Sequence, residues 1–412
     1  MVGELYKYDI IIIGAGPAGL FTAASLGNNL RILVLEKNNS AGKKLLLSGL
    51  GKCNITHFGE LEDFLTRYGY NSNFIKHALY SFSNQDLIDY LKNDNVDLFV
   101  DTNKKVFPKS EKATDVLNVL LKTCRDKNVD IVYNSEVKEI KKIENNFYVQ
   151  TENKKYESHY LIIATGGKSY PTSGSTGDGY VFAESFGHTV IEPRPALVPV
   201  KIKDYRYSTL AGVTLKERTI YLYRQNKKIK TFTGDILFTH FGLSGPGILD
   251  FSRYIKTGDL IKINVVDSKP DILKNEFVDQ AGKDGSVSVK KFFKNYNIPE
   301  NLIEKILLET NIQPNNKLSR VKKEPRNKIM ELFCNLPFEV EQLGDFNTAM
   351  VTAGGVNLKE ISSKNMESRI IKNLYFAGEV LDIDGDTGGF NLQVAFSTGY
   401  IVAKDITKKK WT

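Results

Sequence analysis

Clustered cysteines, long apolar runs, internal repeats and low-complexity stretches are all missing from this chain. Three cysteines spread over 412 residues make neither a disulfide framework nor a zinc site, which needs ligands close together, so no metal is expected. No apolar run approaches the roughly 18 residues that a spanning helix requires. A charged-then-apolar leader is lacking as well, because the sequence enters a strand pattern at Asp9, and a cytoplasmic location is expected. What is present is an ordinary globular balance, 41% hydrophobic and 25% charged, over a length that calls for two or three domains.

The net charge of +8 is unevenly placed. Residues 193–346 hold 26 Lys and Arg against 18 Asp and Glu, and the rest of the chain is balanced. A solvated surface accounts for such an excess; a polyanionic partner such as nucleic acid is the sharper alternative.

The opening "YDIIIIGAGPAGLFTAASLGNNLRILVLEK" reads strand, glycine turn, helix, strand. Four consecutive isoleucines suit a strand buried on both faces. Ser83 before "NQDLIDYLKND" and Thr114-Asp115 before "VLNVLLKTCRDKN" are helix starts. Residues 129–156 read as a meander, and "HYLIIATGG" as another buried strand. Pro193, Pro195 and Pro199 then mark a domain crossing. Residues 200–265 alternate like strands, 269–335 read as short helices, and α/β texture returns near Thr348 with "NLYFAGE" and a helix from about Asn391 to Ile406.

Gly14-Ala15-Gly16-Pro17-Ala18-Gly19 fits GxGxxG between a buried strand and a helix, and Glu36 follows Gly16 by 20 residues. In that context Gly14 permits the tight turn, Gly16 admits a pyrophosphate to the backbone, and Gly19 lets helix and strand approach. The helix N-terminus favours phosphate, and the Glu36 carboxylate suits ribose hydroxyls. The closing "LYFAGEVLDIDGDTGGFNLQVAFSTGYIVAKDI" runs strand, glycine loop, long helix. That end is similar to flavoproteins with two dinucleotide-binding domains, in which the acidic residue after the strand (here Glu379) nears the ribitol and the helix N-terminus faces the flavin pyrimidine. "ATGG", Ala164 to Gly167, resembles their second short nucleotide motif. FAD is the expected cofactor. No second GxGxxG lies between a strand and a helix, so a nicotinamide reductant, NADPH or NADH, is expected to dock transiently between domains.

Cys53 raises a separate question. In disulfide-reductase relatives of such a fold the loop carries C-x4-C; the partner position here is Phe58. A flavin contact, a proton donor and a packed, inert thiol remain open.

The chain resembles the BaiN/RdsA family of FAD-dependent oxidoreductases, also described as aminoacetone oxidase-like flavoproteins. "GKKLLLSGLGKCNITH", "ATGGKSYPTSGSTGDGY", "LFTHFGLSGPGILDFSR", "VTAGGV" and "YFAGEVLDIDGDTGGFNLQVAFSTGY" carry the resemblance, in order and over the whole length. The family's opening loop is closer to SGGGRCNxTN, from which Leu50, Lys52 and His57 depart. The resemblance implies an α/β fold: a discontinuous Rossmann-like FAD-binding domain with an inserted β-barrel-like unit and a small helical unit. We place the FAD domain at 1–192 and 347–412, the inserted β domain at 193–268 with a return strand at 336–346, and the helical subdomain at 269–335.

Expected cofactor residues are Gly14, Gly16, Pro17, Ala18, Gly19, Glu36 and Lys37 for the ADP half, with Val137, Thr165 and Gly166. For the flavin half they are Lys43, Cys53, Gly378, Glu379, Gly389, Phe390, Asn391 and Leu392. Cys53 leads as catalytic acid, followed by Asp384 and His240. The resemblance implies hydride transfer to an electron-poor C=C bond followed by protonation of the neighbouring carbon. The substrate is either a uridine in 23S ribosomal RNA, giving dihydrouridine, or a small enone of bile-acid type. Lys317, Arg320, Lys322, Lys323, Arg326 and Lys328, six cations in 13 residues, suit a phosphate-contacting surface and favour RNA. Tyr205, Tyr207, Tyr221 and Tyr223 are expected to pack a sheet more readily than to stack bases. A small-amine oxidase and a flavin-binding protein without turnover are the further alternatives.

Overall fold

The computed structural model describes residues 5–410. Two compact units emerge: one runs up to Ala196 and resumes at Ala349, and the other is Leu197–Thr348.

The first unit is built on a seven-stranded sheet. Its centre is the strand Leu5–Ile13, parallel to Ile32–Leu35 on one side and to Lys155–Ile163 on the other. Ile10 to Ile13 are buried, as a central strand covered on both faces demands. The helix Pro17–Ser25 makes the crossover that two parallel neighbours need. Asp130–Val132 extends one edge in parallel. On the other side the meander Val137–Ile143, Asn146–Thr151 and Lys155–Ile163 is antiparallel, and the late strand Leu374–Phe376 pairs in parallel with Lys155–Ile163. The chain therefore returns from its far end to the middle of the sheet it began. From there Phe390–Lys410 forms the last helix. Ser83 caps Asn84–Asn93 with a reciprocal box to Asp86. The helix expected to open at Thr114-Asp115 instead begins at Ala113, with no side-chain cap.

Val190–Ala196 and Val351–Val356 pair antiparallel, with Ala196 opposite Val351. The chain thus leaves the first unit and re-enters it at neighbouring points.

The second unit contains a closed barrel of six strands: Val200–Ile202, Gly242–Ser244, Lys227–Phe238, Thr214–Arg224, Leu260–Ile263 and Leu336–Leu343, which pairs back to the first. Alternation explains it. Ile220, Leu222, Ile236, Phe238, Ile261, Ile263 and Phe338 are buried, while closure removes the unpaired edges an open sheet would present. Helices Pro270–Lys283, Val289–Lys294, Glu300–Leu308 and Lys323–Cys334 lie between the last two strands in sequence. Phe293 stacks on Phe333 at 3.6 Å between ring centres, within the same core cluster as the barrel. Among the described residues no helix is long and apolar enough to cross a membrane.

Candidate functional site

The glycine turn after the first strand is held by geometry that admits little else. Gly14 has φ 104°, and a Cβ there would sit 2.5 Å from the Ala164 carbonyl oxygen. A Cβ on Gly19 would lie 2.0 Å from the Gly14 oxygen, so helix and turn touch through bare backbone. Gly16 differs: a Cβ would meet no atom within 4 Å. Gly16 is also the N-cap of Pro17–Ser25, and no side chain caps the helix. Free N–H groups at the helix start, Pro17 and Ala18 in the first turn, and open space beside Gly16 fit a dinucleotide phosphate.

Glu36 is buried. Its carboxylate accepts from Ala15 N at 2.9 Å, and from the backbone N and side-chain Nδ2 of Asn38 at 2.9 and 2.7 Å. An ionised carboxylate offers about four acceptor positions, so Glu36 both pins the glycine turn and retains capacity for a ribose hydroxyl. Lys37 is a strut, donating to Asp178 at 2.6 Å and to Thr176. Lys43 donates to Asn38 Oδ1 at 3.2 Å. Thr165 and Gly166 follow directly on the Ala164 that abuts Gly14, and Gly166 has φ 74°. Val137 is buried at the start of its strand.

At the C-terminal end the structure gathers residues that spacing did not single out. Gly378 donates its N–H to Thr398 Oγ1 at 3.0 Å on the last helix. Glu379 accepts from Lys44 Nζ at 2.6 Å, from Ser169 Oγ at 2.9 Å and from Thr352 N at 2.8 Å. Lys44, not Lys43, is thus the cation beside Glu379. Thr352 Oγ1 in turn accepts from the N–H groups of Lys168 and Ser169. The "KKLLLSG", "ATGGKS", "VTAGG" and "AGE" segments meet in this one cluster. Only the tertiary fold shows it, since the partners lie far apart in sequence.

Gly389 has φ 96°, and a Cβ there would fall 2.6 Å from the backbone carbon of Thr56. Asn54 bridges the same approach, donating to Thr56 O and accepting from Gly389 N, both at 3.0 Å. The Asn391 side chain is turned onto its own loop, accepting from Gly385 N and donating to Gly385 O at 2.8 and 2.9 Å. Phe390 is buried, stacked on His57 at 4.9 Å, and Leu392 is half-buried. Both asparagines tie the loop through its backbone.

Cys53 has no exposed surface. Burial pushes its thiol up to about 11, partly offset by a hydrogen bond with Ser48. Such a thiol stays protonated, yet it faces packed protein and presents no atom to a ligand. Asp384 lies in the glycine loop beside Asp382, whose carboxyl is held above the usual range by burial and then by the Asp384 charge. His240 is exposed, in the turn between Lys227–Phe238 and Gly242–Ser244 of the second unit. The Ser-Gly-Pro-Gly run there starts the short helix Pro246–Phe251, whose Gly247 packs on Gly234. Of the four tyrosines, Tyr205 and Tyr207 pack with Phe338. Tyr221 and Tyr223 are only half-buried, and Lys228 and Lys262 lie over their rings at 4.3 and 5.0 Å.

The basic segment is a dense run of cations. Lys317, Arg320, Lys322, Lys323 and Lys328 are exposed and Arg326 half-buried. Among the described residues none of the six pairs with an acid, whereas Lys201, Lys203, Arg224, Lys290 and Lys294 each do.

A family model described as the HI0933-like protein Rossmann domain matches residues 8–405. A ribosomal RNA dihydrouridine synthase of Haemophilus influenzae is 33% identical over 407 residues, 97% of this chain and 98% of that protein. A 3-dehydro-bile acid delta(4,6)-reductase of Clostridium scindens is 29% identical, covering 95% and 97%. Among solved structures, a 3-ketosteroid-delta4-(5alpha)-dehydrogenase from Rhodococcus jostii is similar with a TM-score of 0.50 and 13% identity, over 98% of both chains, a likeness of fold.

Proposed function

Because the chain belongs to the HI0933-like family and is an FAD-dependent oxidoreductase, we propose that it reduces uridine in ribosomal RNA to dihydrouridine. NADPH or NADH serves as the reductant, and a cytoplasmic location goes with that substrate. The observation that favours RNA over a small enone is the basic segment Lys317 to Lys328, six cations in 13 residues that, among the described residues, pair with no acid. Phosphates would supply the charge those side chains lack.

When bound, FAD supplies the hydride for the C5=C6 bond of the base. The chain does the rest. Gly14, Gly16 and the start of Pro17–Ser25 would hold the pyrophosphate, and Glu36 would orient the ribose. Lys44, Ser169 and Thr352 hold Glu379 at the end of its strand. Gly389, braced by Asn54, would let the N-terminus of the last helix approach a bound flavin, where its donors would favour negative charge. The second carbon needs a proton. Asp382 and Asp384 form a carboxyl pair in the same loop, and the raised Asp382 keeps its proton to higher pH than an ordinary aspartate. It is the better donor than the sealed Cys53.

The test is anaerobic. The reduced holoenzyme is mixed with ribosomal RNA lacking the modification, and flavin reoxidation is followed together with dihydrouridine content. Matched reoxidation and dihydrouridine are expected. Turnover with an enone but none with naked RNA or ribosomal precursors would move the assignment to the small-molecule class.

A further inference from the structure

A recess in the first unit is lined by Phe390 of the glycine loop and by the turn that carries Lys104. Its volume is about 320 Å³, at the low end of the roughly 300–1,000 Å³ typical of small-molecule sites. Phe390 lines it with His57 stacked on its ring, and Phe58, 49% exposed, adds an open aromatic face. Arg67 and Lys104 supply two cations against one acid, Asp63. Arg67 reaches over the Phe390 ring at 5.8 Å and is 3.7 Å from Asp386. Among the described residues Lys104 has no acid partner.

The recess is held by backbone. Phe58 N donates to Lys104 O at 2.7 Å, tying the two sides together. The buried Asn84 amide donates to the carbonyls of His57 and Gly59 at 3.0 and 2.9 Å. Asp101 Oδ1 accepts from Asn103 N and Lys105 N, fixing the turn that carries Lys104. His57 Nδ1 lies 3.3 Å from the Gly388 carbonyl. That oxygen only accepts, so Nδ1 carries the proton and Nε2 is left as an acceptor. Burial, with the charges of Arg67, Lys104 and Lys105 adding to it, lowers the ring's pKa below the ordinary imidazole value against the opposing pull of Gly388.

Flat aromatic walls, a hydrogen-bond acceptor and cations at the rim match one kind of ligand. We infer that this recess is a nucleotide subsite that takes one base against Phe58 and His57 and its phosphate on Lys104 and Arg67. The choice of RNA as the source rests on the function proposed above: an enzyme acting on a uridine must draw it out of its stack, and its neighbour then needs a place to bind. A nicotinamide dinucleotide carries the same chemistry, and the experiment separates the two.

Phe58→Ala removes an exposed ring, and Lys104→Asn removes the charge while tolerating the positive φ of 60° at that position. Each holoenzyme is titrated with a fluorescein-labelled single-stranded RNA pentanucleotide, and separately mixed with NADPH or NADH in stopped flow to obtain the Kd for flavin reduction. Lys141→Ala, an exposed cation on the strand Val137–Ile143 that lines no part of the recess, is the control. A roughly tenfold weaker RNA Kd in Phe58→Ala, the size of one lost base stack, and a weaker RNA Kd in Lys104→Asn, with dinucleotide binding unchanged in both, are the expected results. Weakening of the dinucleotide alone would support the subsite and change its source. Unchanged affinities for both, or a wild type that binds neither, would overturn it. The RNA reading fails on a different measurement, when the wild type forms no dihydrouridine.

Discussion

Leu50 is 98% exposed and has φ 57°. A leucine in the left-handed region carries about 1–2 kcal/mol of steric cost, and here no packing compensates for it. Leu50→Gly, the residue type of the family pattern, should therefore stabilise the protein by about 0.5–1 kcal/mol after the greater freedom of the unfolded glycine is counted, as read by urea denaturation. The carboxyl pair gives a second residue-scale outcome. A donor works only while protonated, so single-turnover rate should fall as pH rises through the Asp382 pKa. Asp384→Asn removes the neighbouring charge that helps hold that pKa up, and the falling limb of the profile should move to lower pH. Burial is the larger cause, so the shift is partial. Cys53→Ala should leave the profile in place and lower stability by about 1 kcal/mol; loss of turnover in that variant would return the donor role to the thiol.

Among the elements, the first glycine turn separates folding from binding. Gly19→Ala drives a Cβ into the Gly14 carbonyl and should cost roughly 1–3 kcal/mol in the apoprotein. Gly16→Ala meets no protein atom within 4 Å, so the apoprotein should melt as wild type while its bound flavin, measured by absorbance, falls. The short helix Lys43–Leu47 offers a parallel pair. Lys44→Met strips the cation from Glu379 and should lose about 1–3 kcal/mol, whereas Lys43→Met should be nearly neutral by the same denaturation. Why the first turn was legible and this lysine was not is physical. Gly14, Gly16, Gly19 and Glu36 work within one strand–helix–strand unit, so their spacing carries their geometry. Glu379 is served by residues from Lys44 to Thr352, and no local pattern says which of two adjacent lysines will face it. The closure of the Asn391 side chain on Gly385 is equally hidden from the local pattern. The barrel was foreshadowed by alternation, and its closure by nothing local.

At the scale of the whole molecule the charge distribution makes a quantitative statement. If the basic segment meets phosphates, the logarithm of RNA affinity should fall linearly with that of salt concentration. A triple charge reversal, Lys322→Glu with Lys323→Glu and Lys328→Glu, should reduce that slope by about one for each phosphate that is no longer neutralised. An unchanged slope in a binding titration would make the segment ordinary surface. One last consequence follows from Ala196 lying opposite Val351. The first unit is a host whose hairpin has been opened at its tip, and the second is a guest spliced into the gap. Since loop closure grows by only about 0.6 kcal/mol for each doubling of length, the host is nearly indifferent to the size of its guest. A lineage can therefore enlarge, trim or exchange the guest, and with it the molecules it greets, while the host keeps the same cofactor chemistry throughout.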